Sequence, residues 1–106
     1  MLLEDIRKLI SEKKYRIRLH AVRHMTEEGF TEQNIVEAFT GSSKILEDYP
    51  EEDRCLLLGY FRVAGQVQCP LHVVCDYSGD GHIDVVTAYI PQKPWWVSPT
   101  QRGKSQ

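Results

Sequence analysis

The segment His20-Ala21-Val22-Arg23-His24 holds the densest chemistry in the chain. On a helix, two imidazoles four residues apart project from one face, with the Arg23 guanidinium close beside them. An imidazole titrating near neutrality serves as general base or acid, and the guanidinium can hold an anion. Two histidines at this spacing also suit a metal ion. However, H-A-V-R-H lacks the glutamate of the H-E-x-x-H zinc pattern, and spacing marks out no third ligand. The plain alternative is a helix N-terminal histidine satisfied by the backbone, beside an ordinary surface arginine.

His72 sits in the middle of Leu71-His72-Val73-Val74-Cys75-Asp76. In a strand its side chain lies on the face opposite Leu71, Val73 and Cys75, so if that apolar set packs on helices, His72 looks out from the other face. Asp76 is a poor partner for it, because residues four apart on a strand are some 13 Å apart. A hydrogen-bonded sheet histidine is as good a reading as a functional one. Thr87 and Tyr89 share a face of the last apolar strand, and Trp95, Trp96 and Arg102 follow. Aromatic rings beside cations serve base stacking and phosphate contact in single-stranded RNA recognition, and equally serve to dock a chain terminus.

Imidazole, guanidinium and phenol together suit metal-independent RNA cleavage. A base removes the 2′-OH proton, a cation stabilises charge on the attacked phosphorus, and an acid protonates the leaving 5′-oxygen. There is no Gly-rich phosphate loop, no G-x-S-x-G elbow and no catalytic cysteine motif, so kinases, Rossmann enzymes, α/β-hydrolases and thiol proteases drop out. A non-catalytic module that recruits protein or nucleic acid with the same face is a second reading, and a metal-dependent hydrolase using His20, His24 and a carboxylate is a third.

Positioning these groups falls to one domain. With 106 residues, the chain has room for one core, expected over residues 3–97, with residues 98–106 as a flexible tail. Its 42% hydrophobic and 26% charged residues exclude a disordered or fibrous chain. No apolar run approaches the roughly 20 residues of a membrane span, and no basic start precedes an apolar leader, so a cytoplasmic protein without membrane contact is expected. Cys55, Cys69 and Cys75 form an odd set without C-x-x-C spacing, which indicates small buried hydrophobes rather than disulfides or structural zinc.

The net charge of −2 hides a strong asymmetry. Residues 1–25 carry seven basic side chains against three acids, residues 26–54 carry nine acids against Lys44 and Arg54, and residues 91–106 add Lys93, Arg102 and Lys104. If the basic ends meet in the fold, they form a cationic face that attracts phosphate; otherwise they are solvated helix faces and a loose tail. The acidic stretch from Glu27 to Asp53 is a candidate docking surface for a basic partner.

Apolar periodicity predicts a helix from Leu3 to near Lys13, a short strand Tyr15 to Leu19, a helix His20 to Glu28 closed by Gly29, and a third helix capped by Thr31 and stopped by Gly41. Strands follow at Lys44 to Tyr49, Cys55 to Val63, Leu71 to Asp76 and Ile83 to Ile90, with turns at Pro50 to Asp53, Ala64 to Gln66 and Ser78 to Gly81. Helices followed by consecutive strands imply an α+β domain, with N-terminal helices packed on one antiparallel sheet of about four strands. One tryptophan must anchor the tail, and Gly103 to Gln106 are expected to fray.

The runs R-L-H-A-V-R-H-M-T-E-E-G-F-T (18–31), L-L-L-G-Y (56–60), P-L-H-V-V (70–74) and V-V-T-A-Y-I-P (85–91), with tryptophan a few residues on, resemble the bacterial family called domain of unknown function 4258 over about residues 15–102. Members of that family are similar to small RelE-type and MqsR-type toxins, whose helices pack on an antiparallel sheet and which cut messenger RNA without a metal. The resemblance implies a toxin-like endoribonuclease with a RelE-like fold, acting on RNA and paired with a small zinc-finger, helix-turn-helix antitoxin. It places His20 and Arg23, through H-A-x-R, and His72 and Tyr89, through the later motifs, as catalytic residues. His24, Trp95 and Arg102 are then the candidate substrate contacts, and no cofactor or metal is implied. Family members often carry serine two residues before the first histidine; here that position is Arg18.

Overall fold

Leu3, Ile6, Leu9 and Ile10 recur at helical spacing and form α1 (Leu3–Ser11), which buries Ile6 and Ile10. The computed structural model describes residues 3–103. After α1 come β1 (Tyr15–Ile17), α2 (Leu19–Glu28), α3 (Glu32–Thr40) and β2 (Lys44–Tyr49). A 3₁₀ turn (Pro50–Glu52) then leads to β3 (Arg54–Ala64), β4 (Val67–Asp76), β5 (Ile83–Tyr89), β6 (Trp96–Ser98) and β7 (Gln101–Arg102). Gly29 ends α2 at φ +80°, where glycine carries no Cβ penalty, and Thr31 opens α3 with a reciprocal capping box to Asn34.

The chain is α+β, with a mixed sheet of five strands rather than an antiparallel one of about four. Its order is β1-β5-β4-β3-β2, antiparallel throughout except that β1 runs parallel to β5, in the register Tyr15↔Ile83, Arg16↔Asp84, Ile17↔Val85. Three residues carry too little pattern to name a strand's partner, and β1 ends at Ile17 because α2 begins at Leu19. β4 also begins earlier than Leu71. Pro70, in register with Tyr60 of β3, lies beyond the last β5 pair at His72, so β4 is flanked there on one side only.

One face of the sheet packs on the helices. Cys55, Leu57 and Phe61 of β3, Leu71, Val73 and Cys75 of β4 and Ile83, Val85 and Ala88 of β5 join Ile6, Ile10, Ala21, Phe30, Ile35 and Phe39 in one core. Alternation sends Leu56, Leu58 and His72 to the opposite face, yet all three are buried. What covers that face near His72 is the C-terminal segment. Trp96 pairs with Arg102 across a short antiparallel ribbon of β6 and β7, so strand pairing extends into the stretch read as a tail as far as Arg102. The expected fraying of residues 104–106 lies outside the described residues.

Two ties fix α2. The Arg18 N–H donates to the Val85 carbonyl at 3.0 Å, and the Ile90 N–H donates to Glu28 Oε1 at 2.7 Å. Ten helical residues rise about 15 Å and five strand residues about 16 Å, so α2 must run alongside the second half of β5 as a continuation of β1. Arg7 of α1 ties the end of α3, donating to the carbonyls of Phe39, Gly41 and Ser43.

α3 approaches β3 closely at Gly59, where a Cβ would stand 2.1 Å from the Ala38 carbonyl oxygen. Gly59→Ala is therefore expected to destabilise the domain by about 3 kcal/mol, through overpacking against backbone. Gly29→Ala, in open space but left-handed, should cost about 1 kcal/mol. Urea unfolding midpoints check the order; Gly59→Ala as mild as Gly29→Ala would contradict it.

Candidate functional site

Register places His72 of β4 opposite Tyr89 of β5. His72 is 0% exposed. A buried imidazole must have its nitrogens satisfied, and here both are. Nε2 lies 2.7 Å from the Pro99 carbonyl, which can only accept, so Nε2 carries the proton. Nδ1 then holds the lone pair and accepts from the Tyr89 hydroxyl at 3.2 Å. The Trp96 ring stands edge-on to His72 at 4.3 Å, and the Arg102 guanidinium lies 4.7 Å from the Trp96 ring centre. Arg102 also forks onto Glu47 of β2, Nε to Oε2 at 2.9 Å and Nη2 to Oε1 at 2.7 Å, while Tyr49 donates to the same carboxylate.

These contacts set the electrostatics. Desolvation lowers the His72 pKa below its ordinary 6.5, against a smaller opposing effect of the Pro99 carbonyl. Burial raises the Tyr89 phenol above 10, so it keeps its proton at neutral pH. The hydrogen bond from Arg102 holds Glu47 below the usual carboxylate range.

Beside this cluster opens a cleft of roughly 560 Å³, between α2, the end of β5 and the tail ribbon. His24, Glu28, Tyr89, Lys93, Trp95, Trp96 and Arg102 are among its lining residues. His24 Nδ1 is 2.8 Å from Glu28 Oε2, so Nδ1 bears a proton facing the carboxylate, and in the neutral ring the lone pair is on Nε2. Glu28 thus orients His24 with one oxygen while its other oxygen accepts the Ile90 N–H.

Four of the seven residues singled out in the sequence, His24, Tyr89, Trp95 and Arg102, line this cleft. His72 lies behind Tyr89, sealed from solvent. His20 is exposed and meets His24 edge-on at 4.9 Å, outside the lining, and Arg23 is exposed on α2. Among the described residues no three His, Cys, Asp or Glu side chains are grouped to hold a metal ion. Cys55 and Cys75 are buried and Cys69 is half-buried, all as free thiols.

Glu28 and Glu47 were not marked out by sequence reasoning. Glu28 carries one signal, its place four residues after His24; Glu47 looks like any acid of a charged stretch. Several acids of that stretch are paired within the fold: Glu32 accepts from Tyr15, Glu37 from the Arg62 N–H and Asp48 from Tyr77, with Glu32 and Asp48 still exposed. Glu27, Glu51, Glu52 and Asp53 remain exposed. Arg18, the N-cap residue of α2, makes no side-chain cap; its guanidinium instead reaches Asp84 at 2.6 Å.

The depressed His72 pKa has a thermodynamic consequence. Between that value and 6.5, the unfolded chain binds more protons than the folded one, so stability rises with pH through this window and falls on acidification below 6.5. The slope approaches but does not exceed about 1.4 kcal/mol per pH unit for one proton. Asp76, Asp84 and Glu47, all with lowered pKa, give up their contribution only at lower pH. His72→Gln keeps an N–H for Pro99 and should flatten the slope just below pH 6.5 in urea unfolding; an unchanged slope would contradict the assignment.

No helix among the described residues is long and apolar enough to cross a membrane. No curated protein and no solved structure matches the chain. A family model described as Domain of unknown function (DUF4258) matches residues 17–90, a span that holds the H-A-V-R-H helix, His72 and Tyr89. The chain belongs to that family.

Proposed function

We propose that this domain is a toxin-like, metal-independent ribonuclease of a toxin-antitoxin pair, cutting single-stranded or messenger RNA in the cleft between α2, β5 and the tail. The observation that carries this is the gathering of an imidazole, a phenol, an exposed indole and a guanidinium around one cleft, from stretches of chain up to 78 residues apart, His24 to Arg102. Kinship with RelE-type and MqsR-type toxins, and a neutralising partner of the zinc-finger, helix-turn-helix kind, belong to the same proposal.

The roles follow from the proton positions. The His24 Nε2 lone pair takes the proton from a ribose 2′-OH, whose oxygen attacks the adjacent phosphorus. The bond from phosphorus to the 5′-oxygen breaks as the Tyr89 hydroxyl, turning its O–H from His72 Nδ1 towards the cleft, gives that oxygen its proton, leaving a 2′,3′-cyclic phosphate. Arg102 and Lys93 balance the charge gathering on the phosphoryl oxygens, and Trp95, 61% exposed, offers a stacking face to a base. His72 acts through Tyr89 as a positioning residue, because its burial removes it from any substrate. Glu28 positions His24.

One observation favours the second reading, a binding module without turnover. The cleft-side nitrogens of His24 and Arg102 belong to groups already paired with Glu28 and Glu47, so a phosphate must compete with two carboxylates.

Incubating the purified protein with single-stranded RNA in excess chelator separates these readings. Cleavage is expected from the wild type, with a loss of about 10²-fold or more in both His24→Ala and Tyr89→Phe. Equal cleavage by all three proteins would trace the activity to a contaminant and end the proposal; saturable binding with no cleavage would favour the binding module.

A further inference from the structure

The basic excess of the N-terminal quarter has a definite place in the fold. β1 is an edge strand of the sheet, and α2 continues it along β5. Lys13, Lys14, Arg16, Arg18 and Arg23 therefore follow one another along a single edge, over about 25 Å by the usual strand and helix rises. All five are exposed. Arg7, the other arginine of this region, is turned inward on the end of α3.

The carboxylates at this edge do not cancel it. Asp84 is 6% exposed and is divided between two guanidiniums, Arg16 Nε at 3.1 Å and Arg18 Nη2 at 2.6 Å. One buried charge thus fixes two arginines; Arg16 also donates from Nη2 to His82 Nε2 at 3.0 Å, and both arginine side chains stay more than half exposed. Glu12 pairs with Lys14 at 3.3 Å, whereas Lys13 and Arg23 have no ion pair among the described residues. At one end of the row a second cleft, of roughly 500 Å³, is lined by Lys13, Lys14, Arg16 and His82, with Asp80 as its acid. At the other end α2 carries the row to His24, in the cleft that also holds Lys93 and Arg102. Of the two basic ends of the chain, the C-terminal one lines that cleft through Lys93 and Arg102, while the N-terminal one stops beside it at Arg23.

We infer that this edge is a track for the phosphate backbone of single-stranded RNA, running from the Lys13–Arg16 cleft past Arg18 and Arg23 into the His24 cleft. The inference rests on the proposed function for the identity of the polymer, and adds its path. A single file of cations matches one backbone rather than two. Leu19, 66% exposed, and Val22, 40% exposed, lie among the arginines and offer apolar surface to unpaired bases, as Trp95 does at the cleft.

The test leaves the Asp84-bound arginines intact. A triple variant, Lys13→Gln, Lys14→Gln and Arg23→Gln, is compared with a control of equal charge change elsewhere, Lys8→Gln, Lys44→Gln and Arg62→Gln. Anisotropy of a fluorescein-labelled, unstructured RNA of about 12 nucleotides is followed in chelator between about 50 and 200 mM salt. The track variant is expected to bind at least about 10-fold more weakly, with a log-log salt slope shallower by about 2, three contacts at about 0.7 each. The control should keep the wild-type slope. Equal weakening in both variants, an unchanged track variant, or poly-glutamate binding as tightly as RNA would overturn the inference. Cleavage is read separately on a dinucleotide, which fills only the His24 cleft. RNA bound through the edge but never cut sinks the ribonuclease reading and leaves the track; a dinucleotide cut equally by wild type and track variant, with RNA binding unchanged, does the reverse.

Discussion

A histidine in the middle of a strand, on the sheet face that no helix covers, is the constraint around which the rest is arranged. His72 cannot be buried without partners for both ring nitrogens, since an unsatisfied polar group costs a few kcal/mol. Tyr89 supplies one from the neighbouring strand, but the other comes from a carbonyl 27 residues further on, at Pro99. That bond commits the tail to fold back over the sheet. With Pro99 placed, Trp96 closes on the imidazole, Arg102 lies on Trp96, and Glu47 receives Arg102. The ribbon so held is one wall of the cleft. His72 therefore shapes the site without touching what enters it.

The opposite wall depends on α2, and α2 on carboxylates that do two things at once. Glu28 accepts the last strand N–H of the β5 end and holds His24, so the alignment of helix to strand and the aim of the imidazole are one arrangement. Asp84 does the same at the other end, joining β1 to β5 while fixing Arg16 and Arg18 at the surface. Structural pairing and the presentation of positive charge are thus not competing uses of these residues.

Most of the elements could be read from periodicity and end signals. The helices showed their apolar spacing and caps, Gly29 and Thr31 among them, and the two long central strands showed β-branched and aromatic runs. The misses share a cause: they depend on pairings between distant segments that local pattern does not encode. Tyr15 to Ile17 alternates as a strand but does not announce a parallel partner 68 residues away. The β6 and β7 ribbon consists of five residues in two pieces, interrupted by Pro99 and rich in residues that also suit a loose tail. At the site, residue types in H-A-V-R-H were legible but their directions were not. His24 turns into the cleft while Arg23 stays outside, because burial of Ala21 sets the rotation of α2. The face of His72 was readable from alternation; its burial was not, since the cover comes from the tail.

The central claim is that a neutral His72, protonated on Nε2, holds the tail in place. Two-dimensional ¹⁵N–¹H correlation of the histidine side chains at neutral pH observes that proton directly. The account requires one imidazole, removed by His72→Gln, with its proton on Nε2 in slow exchange with water and an unprotonated Nδ1. A His72 ring averaging between tautomers, or protonated on Nδ1, would mean that Pro99 does not hold it, and the cleft described here would lose its wall.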